Sequence, residues 1–168
     1  MNRRRFLKYG LFGGVLLAAG GIGLAAWPTR RTFQPKRALK VFSAREFSVI
    51  AAIADRTVGD PKRDPAEIAH AVDLAVSMNP PDAQTEMKQL VILFENALTG
   101  LLLDGHFGSF TGLEPEHQDR VLEHWRDSSV AIRRTGYTAL RKLTQAGHYS
   151  NPACWSQVGY NGPPQINL

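Results

Sequence analysis

The sequence predicts an all-α protein: a compact array of four to five helices with an irregular C-terminal tail, preceded by an N-terminal export or anchor helix. Three observations carry that expectation. Apolar residues recur every three or four positions in separate stretches, the spacing that lines one face of a helix. Helix-start chemistry, either a capping box or a proline at the first helical position, stands before the first, second and fourth of these stretches. No segment sustains the apolar–polar alternation of a half-buried strand.

The first element is the leader, residues 1–27. Arg3 and Arg4, one free position, then Phe6, Leu7 and Lys8 resemble the twin-arginine export motif, with Asn2 where Ser or Thr is usual. An uncharged stretch rich in Gly and Ala follows from Tyr9 to Trp27. As a helix it would be about 28 Å long, enough to cross the hydrocarbon core. Cleavage and retention both stay open, because Leu24-Ala25-Ala26 fits a small-residue cleavage site only marginally. A retained segment would leave its arginines in the cytoplasm and the rest of the chain in the periplasm, anchored to the inner membrane. Residues 28–40 read as a basic linker, with Arg30, Arg31, Lys36, Arg37 and Lys40 able to sit near lipid phosphates.

Residues 41–168 form the helical domain. Its first helix opens at Ser43-Ala44-Arg45-Glu46 and carries Phe47, Ile50, Ala51, Ala54 and Val58 on one face before Gly59-Asp60-Pro61 ends it. A second helix spans about Pro65 to Met78, with Ile68, Val72, Ala75 and Val76 inward and Asn79-Pro80-Pro81 as its stop. The third, about Asp82 to Leu103, is the longest and most apolar, and its wide stripe places it at the centre of the domain. A glycine-rich loop follows, then a helix opened by Glu114-Pro115-Glu116 and bearing Val121, Leu122 and Trp125. Gly136 is expected to bend or divide it from the stretch with Tyr137, Leu140 and Leu143. After Gly147 no further helix is expected.

Charge and cysteine usage exclude several function classes. The sequence pI of about 9.7 suggests nucleic acid until the charges are located. Met1 to Lys40 holds nine basic residues and no acidic one, whereas Val41 to Leu168 holds eleven basic and fifteen acidic. The basicity belongs to the leader, and no basic stripe with interleaved aromatics remains for nucleic acid. Cys154 is the single cysteine, so the chain cannot form an internal disulfide, attach a c-type haem through C-x-x-C-H or hold an iron–sulfur cluster.

A search for catalytic groups finds no constellation. The glycines at 105, 108 and 112 follow no strand and make no phosphate loop. His117 and His124 stand two turns apart on one helix among Glu116, Asp119, Glu123 and Asp127, the pattern of a solvated face or of a weak metal site. His70 is an i,i+3 neighbour of Asp73. His106 and His148 have no visible acid–base mate, and Cys154 beside Trp155 reads as an apolar filler. No residue is therefore assigned to catalysis, cofactor or metal. The run from His148 to Pro164 differs in character, since it places aromatics between turn formers and cannot satisfy its own backbone. Tyr149, Trp155, Tyr160, Pro163 and Pro164 are its candidate partner-interface residues, with a lid over the chain's own helices as the alternative.

Phe42-Ser43-x-x-Glu46, Asp55-Arg56, Phe110-x-x-Leu113 before the helix with Trp125, Tyr149-Ser150-x-Pro152, and Trp155-x-x-Val158-Gly159-Tyr160-x-Gly162-Pro163-Pro164 together resemble the gluconate 2-dehydrogenase subunit 3 family. Thr57-Val58-Gly59-Asp60-Pro61 departs from the Ile-Ile-Pro usual there. The resemblance implies a small accessory subunit that accompanies a large flavin-dependent dehydrogenase of the glucose–methanol–choline type. FAD would sit in that large subunit and haem c in a cytochrome c subunit, with sugars, sugar acids or polyols as substrates. The large subunit would leave the cytoplasm with this chain through the twin-arginine translocation machinery. Two alternatives stand beside this reading: a stand-alone membrane-tethered binding or assembly protein, and a metal enzyme using His117 or His124.

Overall fold

A computed structural model describes residues 33–96 and 108–162. Their order is α1 (Ala44–Thr57), α2 (Pro65–Ser77), α3 (Pro81–Glu95), a 3-10 turn (Phe110–Gly112), α4 (Pro115–Arg126), α5 (Ala131–Tyr149) and a second 3-10 segment (Pro152–Val158). The all-α expectation holds, with five α-helices among the described residues. None of them is long and apolar enough to cross a membrane. The leader, including Arg3, Arg4, Phe6, Leu7 and Lys8, lies outside the described residues.

The capping box at the head of α1 is formed as the sequence implies. Ser43 Oγ accepts from the Glu46 N–H at 3.3 Å, and Glu46 Oε2 accepts from the Ser43 N–H at 2.7 Å. Every residue from Glu46 to Ala54 is buried, so α1 is covered all round. It packs on α2 and α5, which also pack on each other, and more lightly on α3. The centre of the described domain is thus α1 rather than the helix after Pro81. Ala51, Ala52 and Ala54 explain the exchange, because short side chains let neighbouring helices approach on several sides at once. In α3 only Val91, Phe94 and Glu95 are buried, and the expected continuation to Leu103 falls outside the described residues.

Helix boundaries follow local polar chemistry. Asp64 caps α2 by accepting from the N–H groups of Ala66 and Glu67, with Pro65 at the first helical position. The division expected at Gly136 occurs earlier, at residues 127–130. There Ser128 Oγ accepts from the Val130 N–H and the Ser128 carbonyl accepts from Arg134, giving the backbone an alternative to the helix. Gly136 lies inside α5 for a different reason. A Cβ there would stand 2.7 Å from Leu90 Cδ1 and 3.1 Å from Trp125 Cζ3, so the residue marks a close crossing and not a bend. Trp125 stacks edge-on with Phe94 at 4.6 Å, and Phe94 with Phe110 at 4.7 Å, which joins α3, α4 and the first 3-10 turn.

From Phe33 onward the expected linker is a strap fastened to the helices. The Phe33 N–H donates to Ser48 Oγ, and the Lys36 N–H donates to His70 Nε2 at 3.1 Å. The N–H groups of Lys40, Val41 and Phe42 all donate to the buried Asp73 carboxylate, at 2.7 to 3.0 Å. Lys36 and Arg37, read from sequence as lipid-facing, make ion pairs with Asp64 and Glu67 on α2.

Candidate functional site

The C-terminal tail is more regular than its sequence suggests. Helix α5 runs through His148 to Tyr149, and Asn151 then caps the Pro152–Val158 segment by accepting from the Ala153 N–H at 3.0 Å. Gly159, at φ 70°, ends it in the left-handed region. The Asn151-Pro152 pair was the available signal, an N-cap followed by proline at the first position.

This geometry brings three of the five proposed interface residues together. Trp155 Nε1 donates to the Tyr149 carbonyl at 2.8 Å, and the Trp155 ring meets Tyr160 edge-on at 5.1 Å. Tyr149 and Tyr160 stay 46% and 47% exposed, and Val158 beside them 55%. Trp155 is half-buried. The tail therefore folds on an internal tryptophan and offers two tyrosines and a valine outward, a shape suited to a partner surface. Pro163 and Pro164 lie outside the described residues.

A cleft of about 570 Å³ adjoins this surface, bounded by the strap, α2 and the end of α5. Arg37, Lys40 and Lys62 line it together with Asp64, Glu67 and Asp73, so neither sign of charge dominates. His70 on its wall packs against Phe47 at 4.7 Å. Burial, with the nearby Arg37 charge, pushes its pKa below the usual histidine value, and the neutral ring accepts the Lys36 N–H. His148 and Cys154 also line the cleft, with His148 Nδ1 3.8 Å from Cys154 Sγ and His148 Nε2 3.2 Å from Asp60 Oδ2. Sequence reading gave His148 no mate, because its neighbours come from the loop after α1 and from the tail.

Buried carboxylates were likewise invisible in the sequence. Glu46, Asp73 and Glu95 are all buried, and each is held by hydrogen-bond donors from the protein. Glu95 accepts from the Thr111 N–H at 3.0 Å and the Thr111 hydroxyl at 2.6 Å, while burial pushes its pKa above the ordinary glutamate value. These groups tie down backbone N–H groups. His117 is half-buried and His124 exposed on α4, and neither belongs to a cluster of three possible metal ligands among the described residues.

Comparison with curated proteins and with solved structures gives no match. The family model described as gluconate 2-dehydrogenase subunit 3 matches residues 44–162, from the first residue of α1 to the end of the described tail. That span takes in the capped first helix, the aromatic core and the tail surface as one unit, and the chain belongs to the gluconate 2-dehydrogenase subunit 3 family.

Proposed function

We propose that this chain is the small, non-catalytic subunit of a periplasmic flavoprotein dehydrogenase complex, and that it escorts the catalytic subunit across the membrane and stabilises it there. The observation that carries the reading is the family match over residues 44–162, which makes the chain a dehydrogenase-complex subunit by descent. The twin-arginine pattern at Arg3 to Lys8 supplies the export half of the argument. FAD belongs to the large subunit and haem c to a cytochrome partner. The substrate class is a sugar, sugar acid or polyol. The tail surface built on Tyr149, Trp155 and Tyr160 meets the large subunit.

Changing Arg3 and Arg4 together to Lys tests the escort directly. The expected outcome is that this chain and the large subunit both stay in the cytoplasm, read by fractionation with antibodies to each. Undiminished flavoprotein activity in the periplasm of that double variant overturns the proposal.

A further inference from the structure

Three potential metal ligands meet beside the cleft, His148 and Cys154 six residues apart and Asp60 distant from both in sequence. Asp60 stands in the turn after α1, His148 on the last turn of α5, and Cys154 in the 3-10 segment. One donor atom from each lies within 4.8 Å of the other two. His148 is 4% exposed, Cys154 8%, and the Asp60 side chain 9%. The backbone holds each in place. Asp60 Oδ1 accepts from the Lys62 N–H at 2.8 Å, which turns Oδ2 toward His148. The Asn151 N–H donates to the His148 carbonyl at 3.2 Å, and the Cys154 N–H donates to the Asn151 carbonyl at 3.0 Å. The turn that carries the thiol is therefore tied to the residue that carries the imidazole.

We propose that Asp60, His148 and Cys154 form a mononuclear site for a divalent transition cation of the zinc type. Carboxylate oxygen, imidazole nitrogen and thiolate sulfur make a borderline donor set, too soft for calcium or magnesium, which take oxygen ligands. A tetrahedral zinc ion with bonds of about 2.0–2.3 Å sets its donors roughly 3.3–3.7 Å apart. His148 Nε2 lies 3.2 Å from Asp60 Oδ2 and His148 Nδ1 3.8 Å from Cys154 Sγ, and with one donor atom per residue the set lies within 4.8 Å, about 1 Å wider than that spacing. Because these two contacts use different ring nitrogens, ligation through one nitrogen moves the thiol or the carboxylate by roughly 1 Å. Binding replaces the Cys154 S–H bond by a sulfur–metal bond and releases that proton to solvent; no electron changes hands. The carboxylate and thiolate then balance the dication. Since His148 and Cys154 face the cleft, the fourth coordination position opens onto it and is available to water or to a small exogenous ligand. A tie between the loop after α1 and the C-terminal tail follows, set directly behind the aromatic surface.

The test uses the full-length protein, stripped with a chelator and titrated with Co²⁺ and then with Zn²⁺. Expected are one Co²⁺ per chain, a near-ultraviolet thiolate-to-cobalt charge-transfer band, and its loss on adding one equivalent of Zn²⁺. The band disappears in Cys154→Ser, and Zn²⁺ affinity falls by at least about a hundredfold in His148→Gln and in Asp60→Asn. The wild-type titration does not depend on any variant folding. A wild-type chain that binds neither ion stoichiometrically, or a Cys154→Ser variant that keeps the band, overturns the proposal and leaves a close His148–Asp60 contact beside an inert thiol.

Discussion

The N-terminal strap and the C-terminal tail both lie outside the α-helices, yet they solve the same problem in opposite ways. The strap satisfies its backbone on side chains of other elements: Ser48, His70 and above all Asp73 accept its N–H groups. The tail satisfies much of its backbone locally, through Asn151, the 3-10 turn and Gly159, and keeps its tyrosines outward. A segment tied by buried acceptors contributes to the stability of the domain. One that closes on itself and leaves aromatics in solvent holds a surface in reserve for something else.

The sharpest way to break this contrast is to remove the strap's main acceptor. Asp73→Ala leaves three N–H groups without their carboxylate, that of Phe42 in a buried position, and is expected to destabilise the full-length chain by about 3 kcal/mol in urea unfolding. Asp73→Asn, which keeps one acceptor oxygen, should lose distinctly less. Equal stability of wild type and Asp73→Ala would mean that the strap is not a structural part of the domain.

The tail should respond in assembly before it responds in melting. Tyr160→Ala removes a ring that is 47% exposed, and the expected result is an unchanged melting temperature with co-purification of the large subunit weakened by about 2 kcal/mol, roughly thirtyfold. Trp155→Ala sharpens the comparison. Its hydrogen bond to the Tyr149 carbonyl and its half-buried ring make it the tail's internal post, so both melting and assembly should fall. Undiminished assembly for Tyr160→Ala, with the protein folded, would remove that residue from the interface.

The smallest effect lies in the strap's pH response. His70 titrates below its ordinary value in the folded protein, so the unfolded chain binds the proton more readily. Its contribution is present above the unfolded value near 6.5 and is lost as pH falls through the lowered folded value. Protonation also removes the lone pair that accepts the Lys36 N–H. Glu67 and Asp73 nearby favour the charged ring, while Arg37 and Lys36 oppose it. The melting temperature of wild type should therefore drop between pH 7 and 5 by more than that of His70→Gln. Parallel pH profiles would separate the strap from His70.

Elements that depend on nearby residues were legible in the sequence. The α1 cap, the proline starts of α2 and α4, and the all-α class all rest on chemistry within a few positions, and the structure repeats them. The aromatic character of the tail was also legible, though not its 3-10 turn, because Asn151 and Pro152 counted only among its turn formers and not as an N-cap with proline at the first position. Among the described residues the central helix is α1 and not the helix after Pro81, for a different reason. Apolar width along one helix does not say which helix its neighbours surround, and the alanines of α1 matter only once α2 and α5 press against them.

By itself, the sequence determined the helical class, the single cysteine, the twin-arginine pattern and the family motifs. Tertiary structure alone decided that α1 lies at the centre, that Asp73 gathers three N–H groups from the strap, and that Asp60, His148 and Cys154 converge. The physical reason is range. Capping and periodicity act between residues a few positions apart, whereas a buried acceptor or a ligand set is made by packing elements whose separation along the chain carries no information about their distance in space.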